Sequence, residues 1–378
     1  MKRPALSLIL LAATHACRQE SASDALPTQP LVPSTGTQTA SSTPPARPSS
    51  PMPQPARGRL ESAVALNKKC ESCHEVEAAQ WNGSRHKQAS TNAAFQKGFS
   101  LEPRSFCSDC HAAESAPGKP VPRAVSDIGV ACVTCHVTEP GWVLAALSRG
   151  NAASDKAAEA AHPLRRSAEL SQSPGCAACH EFRFPGRWDD DEEAFMQTTV
   201  REHALSRTAS VGCPVCHMPL ENGRRSHAFS QVRDAAWLKE HLQVQAERSG
   251  TGLVITLTQS HGGHGFPTGD IFRRLEVGCE TLDAQGKGIS RDAQYLARHF
   301  GSRPGRWDME LLSDDRVFDE PRVVECNPVP QDGRNATSAR WWVTLQRVVL
   351  PSSRANAAGG TIDSEVELHT GVVPWQSK

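Results

Sequence analysis

The chain has 378 residues, with 41 Lys and Arg against 41 Asp and Glu, so its formal net charge is zero. Nothing in that balance suggests nucleic acid or a polybasic membrane surface as a partner. Hydrophobic residues make up 38% and aromatics 5%, with a single Tyr. This is lean for a chain long enough to form two ordinary domains, so part of it lacks a conventional core or fills one with something other than side chains.

The N-terminus has the layout of an export signal, expected over residues 1–16. Lys2 and Arg3 form a short positive region, and Ala5 to Ala13 is apolar but too short to span a bilayer. Ala16-Cys17 ends the segment like a lipobox, although Thr14-His15-Ala16 departs from the usual Leu-small-small pattern. Cys17 is therefore the expected lipidation site, with simple signal-peptidase cleavage as the alternative. Arg18 follows it in place of the Asp linked to inner-membrane retention. The expected location is periplasmic, with a lipid anchor in the outer membrane as the only membrane attachment. Residues 17–58 carry nine prolines and almost no large apolar side chains. Burial cannot offset their ordering entropy, so a disordered tether is expected there. Its reach is about 100 Å if polyproline-like and about 35 Å as a random coil.

Five CxxCH motifs follow: Cys70-Glu-Ser-Cys73-His74, Cys107-Ser-Asp-Cys110-His111, Cys132-Val-Thr-Cys135-His136, Cys176-Ala-Ala-Cys179-His180 and Cys213-Pro-Val-Cys216-His217. Chance would supply roughly 0.02 such motifs in a chain of this composition. The spacing suits covalent haem c. Two thiols on one turn add across the two vinyl groups, and the adjacent His is aimed at the iron. Structural zinc also uses CxxC pairs, but it needs no His after every second Cys, and its pairs combine two by two. Five porphyrins within residues 70–217 must pack against one another. They are expected to form the interior of a pentahaem domain over 59–240, mainly α, with short helices and loops. Helices are expected at Asn151–His162 and Asp191–Ser206.

Ten His lie outside the motifs. Met is scarce, and Met218 directly follows a proximal His, so most irons are expected to have two His ligands. Ten of the thirteen Cys belong to motifs and Cys17 to the lipid site, leaving Cys279 and Cys326. An even pair in an oxidising compartment is expected to form a disulfide, with a redox role as the alternative.

The segment CESCHEVEAAQWNGSRH resembles the first haem segment of the cytochrome c-554 type of multihaem cytochromes, related to hydroxylamine oxidoreductase. The resemblance implies that His86 ligates a neighbouring haem. GCAACHEFRFP and GCPVCHMPLENGRRSHAF are similar to the same superfamily, which puts His227 in a distal position; His162, shortly before the fourth motif, matches another. SHGGHGFPTGDIFRRLEV resembles the start of a β-rich domain found in some of these proteins, with His264 as a fourth distal ligand and His261 as its substitute. His203, His241 and His299 compete for the fifth place.

From its own residues, 241–378 also reads as a β-sandwich-like C-terminal domain. Leu253 to Leu257, Leu275 to Cys279, Trp341 to Leu350 and Thr361 to His369 are strand candidates, with a turn at Asp283 to Gly288. The expected function is electron transfer between redox partner proteins, such as other cytochromes or quinol-linked reductases, with no nucleic-acid partner. The alternative is an oxidoreductase acting on a small nitrogen or sulfur oxyanion at one open haem. Mass spectrometry of the mature native protein should find five haems and a lipid on Cys17. Zinc in place of iron, or no Soret absorbance, would sink the haem reading.

Overall fold

The computed structural model describes residues 60–375, apart from 139–140, 149, 151, 185–194, 230–233, 303–308, 329–334 and 350–359. The signal peptide, Cys17 and the tether lie outside the described residues. Helices crowd the N-terminal part and strands the C-terminal part, and the haem motifs set many of the helices. Helix α1 (Leu60–Cys73) ends on the first motif and α2 (Glu75–Asn82) follows directly. Next come α3 (Ala93–Leu101), α4 (Cys107–His111), α5 (Arg123–Ile128) and α6 (Cys132–His136). Strand β1 (Val143–Ala146), α7 (Ala152–Ala161) and β2 (Leu164–Ser167) lead to α8 (Pro174–His180). Then follow β3 (Glu181–Arg183), β4 (Phe195–Thr198), α9 (Thr199–Leu205), α10 (Cys213–His217), β5 (Leu220–Glu221) and β6 (Arg224–Arg225).

Local chemistry starts and stops several of these helices. The Asn92 side chain accepts from the Phe95 amide at 3.0 Å and begins α3. Helix α5 stops at Gly129, whose φ is +57°. A Cβ there would stand 2.5 Å from the His86 carbonyl oxygen, so only glycine lets the two backbones meet. The next amide, of Val130, donates to that same oxygen at 2.9 Å. This contact anchors the loop that carries His86.

Two expectations need correction. The haem region is not purely helix and loop, because β1 pairs in parallel with β2, β3 with β4, and β5 with β6. The helix expected over Asp191–Ser206 begins only at Thr199, and Asp191 to Ala194 lie outside the described residues. Phe195–Thr198 is a strand because it pairs with Glu181–Arg183, and Arg298 donates to the Phe195 and Met196 carbonyls. Tertiary partners overrode a local helix preference.

Helix α11 (Ala235–His241), capped by Asp234, leads into β7 (Leu242–Ser249) and β8 (Gly252–Gln259). The remaining strands are β9 (Arg273–Leu282), β10 (Gly288–Leu296), β11 (Arg298–Ser302), β12 (Met309–Asp314), β13 (Arg322–Cys326), β14 (Ser338–Val348) and β15 (Ile362–Pro374). They form a four-stranded antiparallel sheet in the order β10-β9-β14-β15, a three-stranded sheet β13-β8-β7 and a pair β11-β12. Strand β8 alternates as its sequence predicts. Leu253, Ile255 and Leu257 are buried, in one apolar cluster with Leu275, Val277, Val343 and Leu368 of the other sheet. The haem region has a much smaller apolar cluster, built on Ala63, Trp81, Ile128, Ala131, Val133 and Val137. No helix of the described residues is long and apolar enough to cross a membrane.

Cys279 on β9 and Cys326 on β13 are joined by a disulfide with a Cα–Cα distance of 6.1 Å, tying the two larger sheets together. The bridge closes a loop of 47 residues. Replacing both cysteines by Ala should lower stability by about 2–4 kcal/mol, measured by denaturant unfolding. Unchanged stability would mean that the covalent tie adds nothing to the packing.

Candidate haem sites

Each CxxC pair lies on a helical turn, so its two thiols, three residues apart, face the same side. The following His lies at or just past the end of that turn. In the first motif its amide closes the helix by donating to the Cys70 carbonyl at 2.9 Å. None of the ten motif cysteines is in a disulfide.

Three of the proximal histidines are oriented through Nδ1. His111 Nδ1 lies 2.7 Å from the Ala89 carbonyl and His136 Nδ1 2.8 Å from the Leu144 carbonyl. His180 Nδ1 lies 3.2 Å from the Gln197 side-chain amide. Among the remote histidines, His227 Nδ1 is 2.9 Å from the Arg225 carbonyl and His264 Nδ1 is 3.1 Å from the Gly265 carbonyl. A carbonyl partner keeps the proton on Nδ1 and leaves the Nε2 lone pair for a metal. Burial also favours the neutral ring. It lowers the pKa of His180 to about 3 and those of His86 and His217 to about 4, with neighbouring imidazoles adding to the effect. Neutral imidazole is the form that ligates.

The rings meet in pairs. The ring centres are 6.1 Å apart for His74 and His162, 6.3 Å for His86 and His180, 6.4 Å for His136 and His227, and 6.1 Å for His217 and His264. With a metal–nitrogen distance of about 2 Å, two imidazoles binding one iron from opposite sides have ring centres about 6.3 Å apart. All four pairs have the spacing that one iron between them requires, so these residues fit the group.

His111 differs. Its ring partner is Phe95, stacked at 4.1 Å and 19°, too close for an iron between the two rings. Among the described residues, no histidine ring faces His111 at the spacing of the other pairs. None of the three histidines expected to compete for this place is brought against the His111 ring. His203 Nδ1 is 3.3 Å from the Ser173 hydroxyl, His241 stacks on Trp237 at 3.7 Å, and the buried His299 meets Asp315 through Nε2 at 3.0 Å. His261, the substitute for His264, lies 5.0 Å from His241 instead.

The motifs are also near one another. Cys176 and Cys213 share a hydrogen bond, and the Cys135 thiol feels that of Cys179, as Cys132 feels Cys70. The second motif joins this group through Ala89, three residues beyond His86.

Sequence reasoning missed Phe95, which lies in an unremarkable helix, and Glu202, whose partners are distant in the chain. Glu202 accepts from Thr198 Oγ1 at 2.5 Å, Thr268 Oγ1 at 2.8 Å, the Gly265 amide at 3.0 Å and Arg316 Nη2 at 2.8 Å. It lies between the haem region and the strand-rich region.

Residues 69–137 match the family described as cytochrome c554 and c-prime. A penta-heme cytochrome c552 from Thermochromatium tepidum is 18% identical, with a TM-score of 0.60 over 83% of this chain and 98% of that one. MtrC from Shewanella baltica OS185 is 14% identical over 70% of this chain and 44% of that one, but its TM-score of 0.17 carries no argument. No curated protein matches. Fold and motifs together fit a multihaem c-type cytochrome, with one covalent haem c attachment site at each of the five CxxCH motifs. Over residues 69–137 the chain resembles the cytochrome c554 family, and over most of its length it shares the fold of a penta-heme cytochrome.

Burial pushes the Glu202 carboxyl up, but the Arg316 charge and the hydrogen bonds outweigh it and hold the pKa at about 2. A depressed carboxyl pKa contributes stability that is full above the unfolded value and is lost as pH falls through the folded one. The chain should therefore lose about 3 kcal/mol through this group between about pH 4.5 and pH 2. In acid denaturation curves Glu202→Gln should flatten that limb; an unchanged limb would show that Glu202 does not drive it.

Proposed function

We propose that this cytochrome is an exported, periplasmic electron carrier, held to the outer membrane by a lipid on Cys17. Its four histidine pairs, His74 with His162, His136 with His227, His180 with His86, and His217 with His264, ligate four irons, and His111 holds the fifth. The observation that carries this reading is the common ring spacing of the four pairs. The haems supply one-electron redox chemistry, and the chain supplies their attachment, axial ligands and dry surroundings. The adjacency of the thiols supports a haem order of first, third, fourth and fifth motif, with the second beside this row. The two larger sheets form a sandwich that closes one end of the row. Partners are redox proteins, either other cytochromes or quinol-linked reductases. Each oxidised haem with its two propionates adds about one negative charge, so basic docking faces are favoured on them.

One observation favours a second reading. Among the described residues no second imidazole stands against His111 at the spacing of the other pairs, and an oxidoreductase acting on a nitrogen or sulfur oxyanion would use an iron left open in this way.

The oxidised protein should show four low-spin irons and one high-spin iron by paramagnetic resonance. Replacing His86, His162, His227 or His264 by Ala should add one high-spin iron each. Five low-spin irons that ignore cyanide, nitrite and hydroxylamine would end the second reading. Ligand planes add a further signature. The His217–His264 planes are 16° apart and those of His86–His180 63° apart. Near-parallel imidazoles split the iron d orbitals strongly and crossed ones leave them nearly degenerate. The fourth-motif haem should therefore give the most anisotropic low-spin signal, lost in His86→Ala.

A further inference from the structure

We infer that Glu202 is the positioning residue that holds His264 over the haem of the fifth motif, so that a side chain of the haem region presents a ligand carried by the strand-rich region. The inference rests on the reading of His264 as that haem's sixth ligand.

His264 lies in the loop between β8 and β9, in no helix or strand that would fix it. What fixes the loop is a set of buried polar contacts centred on Glu202. The Gly265 residue links ligand and carboxylate directly: its amide donates to Glu202 Oε2 at 3.0 Å, and its carbonyl faces His264 Nδ1 at 3.1 Å. Thr268, four residues beyond His264, donates to the same Oε2 at 2.8 Å. Arg316 closes the frame from the strand side. It donates to Glu202 Oε1 at 2.8 Å and to the Pro267 carbonyl at 3.1 Å, while Asp314 holds the guanidinium. One carboxylate thus grips the loop at two points just beyond the ligand.

Helix α9 carries Glu202, and α8 and α10 carry the fourth and fifth motifs. Glu202 therefore sits among the elements that hold the porphyrin itself. A support of this kind fixes ring orientation and ligand basicity, and its loss typically costs about 10–100-fold in metal affinity. With Glu202 shortened, the Gly265 amide and the Thr268 hydroxyl lose a buried acceptor, and the loop can lift the imidazole from the iron.

The test uses the full holoprotein with all five haems attached. Glu202→Ala, Glu202→Gln and His264→Ala are compared by paramagnetic resonance, by the number of cyanide-reactive haems and by redox titration. Glu202→Ala should add one high-spin, cyanide-reactive haem, as His264→Ala does, and should leave the other low-spin signals in place. Glu202→Gln keeps an acceptor for Gly265 and Thr268 and should restore the parental spectrum. A folded Glu202→Ala protein with parental spectrum and potentials overturns the inference. If His264→Ala itself adds no high-spin haem, the ligand assignment is at fault instead. Should Glu202→Ala not accumulate, Thr268→Val removes one donor from the same carboxylate. A shift confined to the fifth-motif haem signal supports the role, and an unchanged signal removes it.

Discussion

On the proposed ligation, the bond between iron and a remote histidine organises the haem region. Each CxxCH motif supplies two thioethers and one imidazole within five residues, which fixes a porphyrin to its own turn of helix but not to the rest of the chain. The second imidazole comes from far away. His86 lies before the motif it faces, while His162, His227 and His264 lie well after theirs. On the proposed ligation, each iron is a cross-link between distant segments. This is why short helices around a six-residue apolar cluster can hold together. The strand-rich region has a conventional apolar interior and a disulfide, and needs no such aid.

Much of this was legible because the chemistry is local. Five motifs announce themselves by spacing, and Leu253, Ile255 and Leu257 announce a strand by alternation. The proposed remote ligands stood out for another reason: His86, His227 and His264 sit in phrases that resemble a known type of multihaem cytochrome, although nothing in their own spacing says which iron they would face. What could not be read was set by contacts made only in three dimensions. Phe195–Thr198 lies in a helix-favouring stretch but pairs with Glu181–Arg183. Phe95 covers His111 from a helix with no distinguishing pattern. Glu202 gathers partners from residues 198, 265, 268 and 316, which no window of sequence brings together.

The boundary between the two regions is more than a linker. Arg298 reaches from β11 to the carbonyls of β4, and Arg316 reaches from beside β12 to α9. Both bury their charge where the regions meet. Buried charges are tolerable only when paired and hydrogen-bonded, so this contact admits little sliding. A surface joined by apolar packing alone would have more freedom to shift, and any ligand carried across it would move as well.

Placing the second imidazole after its motif has a consequence for biogenesis. A polypeptide delivered from its N-terminus presents a motif for haem attachment before a later histidine has arrived. The first, third and fifth haems must then wait, one face bare, for residues 162, 227 and 264. The fourth alone meets a partner already delivered, because His86 precedes it. The fifth closes last, after the chain has passed the end of the haem region. On the proposed ligation the fifth iron is open until then to any small ligand around it, and the strand-rich region is what ends that exposure.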